Sequence, residues 1–188
     1  MVKRHAHFLE AARSQLLVVD IQEKLFGAMH PDGQANLLRN VPILAAAARE
    51  LGVPVSVTEQ YPKGLGRTLP GLQEELAGFP VFEKLTFAAT EVGAVTDRLR
   101  GVGRPQVVLS GMETHICVYQ TALGLLAEGF EVHVVADALA ARFPSNHETG
   151  LDLMRAAGGL VTSTETVLFQ WLERAGTDAF KKLQKRIL

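Results

Sequence analysis

The chain has 188 residues, 47% of them apolar, and its 19 Lys and Arg against 20 Asp and Glu give a formal net charge of −1. That length suits one compact domain with a substantial core. The charge balance argues against a nucleic-acid surface, and no run of about 18 apolar residues is present to span a membrane. A single cysteine, Cys117, excludes an intramolecular disulfide and fits a reducing compartment.

Taken in order, Met1 to Ser14 is basic but lacks the apolar stretch and cleavage site of a secretory signal. Residues 1–13 read as an N-terminal extension of a single domain over 1–188, and the location is expected to be cytoplasmic. An Arg-containing organellar presequence is the alternative; Glu10 and the direct run into the first strand count against it.

Gln15 to Asp20 (QLLVVD) is a continuous apolar run ending in a carboxylate, as a buried parallel strand requires. Asn36 to Leu51 has helical apolar spacing and a stop at Gly52. Val53 to Thr58 and Phe79 to Phe82 form strands two and three. Glu91 to Arg100 is a helix closed by Gly101. Gln106 to Gly111 (QVVLSG) is strand four, followed by a long helix from Thr114, its expected N-cap, to Glu128. Phe130 to Ala136 is strand five. Ser145 and Glu148 have capping-box spacing for a helix to Ala157. Leu160 to Thr162 is strand six, Thr164 to Arg174 a helix, and Thr177 to Ile187 a C-terminal helix within 177–188 that packs back or meets a partner subunit.

Six strands alternating with helices imply an α/β fold, a three-layer αβα domain with a doubly wound parallel sheet. The commonest order, 3-2-1-4-5-6, makes strands one and four neighbours where the winding reverses. Ligands bind outside the carboxyl ends of strands at that point.

Asp20 ends strand one, Cys117 lies in the first turn of the helix after strand four, and Lys84 follows strand three. All three fall at one sheet edge. A thiol beside a helix start and an ammonium is expected to favour thiolate. A carboxylate can take the thiol proton or protonate a leaving amine, and backbone N–H groups of the helix start can bind an oxyanion. Together these groups specify acyl transfer to water through a thioester. Each also has a plainer role: a buried small hydrophobe, a turn aspartate, a solvated lysine.

The segments VVDIQEKL (Val18 to Leu25), EKLTFAA (Glu83 to Ala89) and LSGMETHICVYQ (from Leu109) resemble the isochorismatase-like cysteine hydrolases, and the similarity runs over nearly the whole chain after Ser14. The resemblance implies Asp20 as general base, Lys84 as the third member and Cys117 as nucleophile. It also implies a cis peptide between Met112 and Glu113, with the N–H groups of Glu113 and Cys117 as oxyanion donors. Nicotinamidases of this superfamily bind a metal through an aspartate and histidines after strand two. Here that segment reads TEQYPKGLGRTLPG, without histidine, so neither a metal nor a cofactor is expected. Together with TSTETVLFQWL from Thr162, the TEQYPKGLG tract resembles the subgroup of isochorismatase domain-containing proteins. True isochorismatases cleave a vinyl ether and need no nucleophilic cysteine, so isochorismate is not the expected substrate.

Further candidates for substrate contact are Gln22, Phe26, Tyr61, Phe87, Thr114 and His115. Packing accounts equally well for Phe26, Tyr61 and Phe87 and loop structure nearly as well for Gln22, Thr114 also reads as a cap, and a lone histidine in a cap region such as His115 is more often structural. His5 and His7 supply only two ligands of a metal site. No glycine-rich phosphate motif follows strand one, which counts against a nucleotide-dependent enzyme. The expected function is a metal-independent hydrolase of a small amide or related acyl compound. The alternatives are a binding or scaffold protein that keeps the fold without turnover, and a nicotinamidase-type amidase. The expected partners are a small-molecule substrate and further copies of the chain, as a dimer or tetramer, with neither nucleic acid nor membrane.

Overall fold

A computed structural model describes residues 4–187; the first three residues of the expected N-terminal extension and Leu188 lie outside it. The strands are β1 (Ser14–Val19), β2 (Val55–Gln60), β3 (Val81–Lys84), β4 (Gln106–Met112), β5 (Glu131–Ala140) and β6 (Leu160–Thr162). All pair in parallel, in the order β3-β2-β1-β4-β5-β6. The connecting helices are α1 (Glu23–Phe26), α2 (Pro31–Leu51), α3 (Pro62–Leu65), α4 (Pro70–Leu76), α5 (Gly93–Val102), α6 (Tyr119–Ala127), α7 (Pro144–Ala156), α8 (Thr164–Leu172) and α9 (Asp178–Leu183).

The unbroken apolar runs of β1 and β4 follow from burial on both faces of the sheet. Alternate residues feed two separate cores. Leu16, Val18, Val108 and Met112 pack with Leu37, Val41 and Leu44 of α2 and with Leu168 and Trp171 of α8. Leu17, Val19, Val107 and Leu109 pack on the other side with Val95 and Leu99 of α5, Ala122 and Leu125 of α6, and Met154 of α7. The helices after β1 and β4 therefore lie on opposite faces, which opens a crevice between the carboxyl ends of these two strands.

Several boundaries differ from the sequence expectation. Helix α2 starts at Pro31, its ring preset for a first helical position, rather than at Asn36. Helix α5 closes at Gly103, left-handed at φ 70°, not at Gly101. Strand β5 extends to Ala140 because the register with β4 jumps from Leu109↔Val134 to Gly111↔Leu139, and the extra residues form a bulge. Helix α7 begins at Pro144 with Phe143 as its N-cap and no side-chain cap, so the expected capping box is not formed. The C-terminal helix packs back on its own chain: Leu183 is buried, and Phe180 and Ile187 pack against the α2 core. Its apolar spacing is thus satisfied internally. The described part of the N-terminal extension is anchored too, with Leu9 buried and its N–H bonded to Gln170 Oε1 at 3.0 Å.

At the seam between β1 and β4, Gly111 has φ 123°, and a Cβ there would lie 2.0 Å from the Val19 carbonyl oxygen. Only glycine lets β4 approach β1 so closely. Gly111→Ala is expected to lower the unfolding free energy by more than about 2 kcal/mol. Gly103→Ala, with a positive φ but nothing within 4 Å, is expected to cost only about 1 kcal/mol. Urea denaturation of the two variants checks this, and equal midpoints would contradict it.

Candidate active site

Asp20, the first residue past β1, has φ 52°, a left-handed conformation that aspartate tolerates better than most residues. The sharp turn leaves its side chain fully buried at the sheet edge. Lys84, the last residue of β3, is equally buried, and its Nζ lies 2.6 Å from Asp20 Oδ2. The ammonium also donates to Gln60 Oε1 at 2.6 Å, to the Phe87 carbonyl at 3.0 Å and to the Thr86 carbonyl at 3.3 Å. Thr58 Oγ1 donates to Asp20 Oδ1 at 2.6 Å. The Cys117 thiol completes the group, close enough to Asp20 and Lys84 for each to act on its titration. The three residues brought together by sequence reasoning are therefore in contact.

Burial sets the resting charges. It raises Asp20 above the usual carboxylate range, opposed by the Lys84 charge and by the hydrogen bonds from Lys84, Thr58 and Cys117. Burial, reinforced by the Asp20 charge, pushes the Cys117 thiol up to about 12 against the pull of Lys84. The expected thiolate is thus corrected. Desolvation outweighs the helix start and the lysine, and the sulfur rests protonated beside the Asp20 carboxylate.

Cys117 sits on a strip that departs from a regular helix start. The Met112–Glu113 peptide bond is cis, and Thr114–Val118 form a π-helical turn before α6 begins at Tyr119. The N–H groups of Ile116 and Val118 both donate to the Glu113 carbonyl, at 3.0 and 3.2 Å. Thr114 is not the N-cap that its residue type suggests. Its buried hydroxyl lies 2.9 Å from His147 Nδ1 and is engaged there instead. The Glu113 carboxylate, almost buried, accepts from Arg142 N at 3.3 Å and from Arg142 Nε at 3.1 Å.

The remaining candidates divide. Tyr61 lines a cleft of about 320 Å³ with Pro62, Lys63, Glu83, Lys84 and Leu85. Its N–H donates to the Lys84 carbonyl at 2.8 Å, which ties the cleft to the ion pair. The Phe87 ring is exposed, and it is the backbone carbonyl of this residue that touches Lys84. His115 is half-buried, and its Nδ1 has no hydrogen-bond partner among the described residues. Gln22 is fully buried, with its amide engaged by backbone. Its amide accepts from Gln60 N at 2.6 Å and donates to the carbonyls of Gln60 and Gly66 at 2.9 and 2.7 Å, which makes it a clamp between loops. Phe26 packs against the α2 core.

Sequence reasoning missed Thr58 and Gln60. The signal was available: both are polar residues in the buried run VSVTEQ, where a side chain without a polar partner would be costly. The segment after β2 is organised around Glu59, whose Oε2 pairs with Arg67 at 2.8 Å and whose Oε1 accepts from Thr68 N at 2.7 Å. Among the described residues, no helix is long and apolar enough to cross a membrane.

Comparison with known proteins gives a consistent picture. The family model described as the isochorismatase domain matches residues 14–166. Isochorismatase domain-containing protein 2 of Danio rerio is 38% identical over 179 residues, which covers 94% of this chain and 88% of that protein. Isochorismatase domain-containing protein 1 of Salmo salar is 44% identical over 147 residues, 77% of this chain. The chain spans 50% of that relative and 62% of its Danio rerio counterpart. Among solved structures, one described as MAR1 ribonuclease from Caenorhabditis elegans superposes with a TM-score of 0.88 at 36% identity, covering 95% of this chain and 91% of its own. YcaC from Pseudomonas aeruginosa, solved with hexane-2,5-diol and covalent acrylamide, gives a TM-score of 0.89 at 25% identity, covering 99% and 94%.

The Thr58 hydrogen bond supports the charged form of Asp20, so its loss has a defined sign. Thr58→Val is expected to raise the Asp20 pKa further. A carboxyl ¹³C NMR titration of wild type and variant reads this directly, and an unchanged or lowered midpoint would contradict it.

Proposed function

Because the chain belongs to the isochorismatase family, we propose that it is a cysteine hydrolase that cleaves a small amide or related acyl compound through a thioester on Cys117. The observation that carries this reading is the buried contact of Cys117 with the Asp20–Lys84 ion pair. The thiol rests protonated, so attack on the carbonyl carbon is coupled to transfer of the Sγ proton to Asp20. A carboxylate with a raised pKa is a better base for this step. Lys84, held by Gln60 and the Phe87 carbonyl, keeps the carboxylate ionised and oriented. The oxyanion formed on the carbonyl oxygen is assigned to the N–H groups of Glu113 and Cys117.

Collapse of the tetrahedral species breaks the C–N bond, and Asp20 returns the proton to the departing amine. Water then attacks the thioester and gives one proton to Asp20, which passes it to the leaving thiolate. The carboxylic acid departs with the thiol restored. The cleft beside Tyr61 and Leu85 is the proposed position of the acyl substituent. The ribonuclease description of the Caenorhabditis elegans relative is not carried over, since a formal net charge of −1 offers no general attraction for a phosphate backbone. A cytoplasmic location and self-association, as a dimer or tetramer, remain part of the proposal. The second of these rests on the exposed side chains of Leu85, Phe87 and Phe143 rather than on the C-terminal helix.

A turnover screen over small amides is expected to give a substrate whose cleavage falls at least about a thousandfold in Cys117→Ser and in Asp20→Asn. Mass spectrometry of the wild type during turnover should show the acyl adduct on the peptide that contains Cys117. Full turnover by Cys117→Ser would exclude the thioester. The pH profile of kcat/KM should lose activity as pH falls through the raised Asp20 pKa, because only the ionised carboxylate takes the thiol proton. Its acid limb therefore lies above the ordinary aspartate value of about 4.

A further inference from the structure

The strip that carries Cys117 is held from outside at three consecutive residues. Glu113 accepts two hydrogen bonds from Arg142, in the segment between β5 and α7. Thr114 Oγ1 lies 2.9 Å from His147 Nδ1, at the end of the first turn of α7. A Cβ on Gly150 would lie 3.0 Å from both Cα and N of His115, so α7 rests directly on the backbone of the strip. His147 and Gly150 stand three apart on one helix face, which explains why both meet the same strip. Inside the strip Ile116 and Val118 share the Glu113 carbonyl, and Tyr119 N donates to the carbonyls of Thr114 and Ile116, the pattern of a π-helical turn.

We propose that His147 is a positioning residue for the reaction at Cys117, holding the nucleophile's turn in register with Asp20 through its hydrogen bond to Thr114. This rests on the reading of Cys117 as the nucleophile. Thr114 is fully buried and stands three residues before Cys117 within one π-helical turn, so a displaced Thr114 displaces Sγ. The Thr114 hydroxyl has its partner in His147, so a nonpolar residue there leaves a buried donor unsatisfied and the turn without its tie. Burial lowers His147 from its ordinary range, so the ring is neutral at pH 7 and one of its nitrogens can accept from the threonine. Arg142 and Gly150 set the flanks of the same clamp.

Alkylation of Cys117 by iodoacetamide tests this without a known substrate. A thiol that hands its proton to a placed carboxylate reacts at a rate that is flat above the carboxylate's own pKa. An unassisted thiol gains about tenfold per pH unit over that range. Wild type should give the flat profile. His147→Phe, which keeps the ring volume and loses the hydrogen bond, should react about tenfold more slowly at pH 7 and acquire the steep profile. His147→Asn, which places a hydrogen-bonding atom near the position of Nδ1, should restore both rate and profile. Melting temperatures measured alongside separate lost positioning from lost folding. A folded His147→Phe with the wild-type profile, or one that reacts faster at every pH, overturns the positioning role. A steep profile in wild type itself overturns Asp20 assistance and the nucleophile reading with it. Should His147→Phe not fold, Gly150→Ala, which pushes on the same strip, takes its place with the same expected profile.

Discussion

The organising constraint of this molecule is the ion pair between Asp20 and Lys84, both removed from water. Burying two charges costs several kcal/mol per ion unless their remaining hydrogen-bonding capacity is met. Here the ammonium and Asp20 Oδ1 are served from several strand ends, while Oδ2 has only the ion-pair contact itself. Thr58 and Gln60 come from β2, the carbonyls of Thr86 and Phe87 from the turn beyond β3, and the sheet register brings Asp20 between them. If any of these strands slipped by one residue, its side chains would change face and a charge would be stranded. The pair therefore ties the topology of the sheet to the chemistry at its edge.

The same economy extends around the crevice. Gln22 binds the end of β2 to the loop at Gly66, and an isolated antiparallel bridge joins Gln22 to Thr68. Glu59 and Arg67 brace that loop from the opposite side. On the far side, Arg142, His147 and Gly150 brace the strip beneath Cys117. Polar side chains near the site thus hold backbone in place. This arrangement suits a site in which a small displacement of sulfur relative to carboxylate is costly.

Much of this was legible in the sequence, for identifiable reasons. The runs LLVV and VVLS name their strands because parallel strands buried on both faces need no alternation. The order 3-2-1-4-5-6 follows from the commonest winding and is the order observed, and it placed Asp20, Lys84 and Cys117 at one edge. Helices α3 and α4 escaped because they are short and start at Pro62 and Pro70, residues that otherwise signal a turn. The extent of β5 escaped because a bulge against β4 is a pairing property, absent from either strand alone. Thr114 and Gln22 were misjudged for one shared reason: a polar residue near a reactive group looks like a ligand contact until its tertiary hydrogen bonds are known. The thiolate expectation failed because a motif gives the neighbours of a charge and not its desolvation.

The burial of Cys117 also bears on how this molecule fares under oxidative stress. Peroxides attack thiolates, and susceptibility follows thiolate character and access. Cys117 is 5% exposed, and with burial pushing its thiol up to about 12 it presents almost no anion to a passing oxidant, although it is the chain's one thiol. In the proposed reaction the sulfur becomes nucleophilic only as its proton moves to Asp20. The burial that keeps the Cys117 thiol protonated at rest thereby also limits its conversion to sulfenic acid.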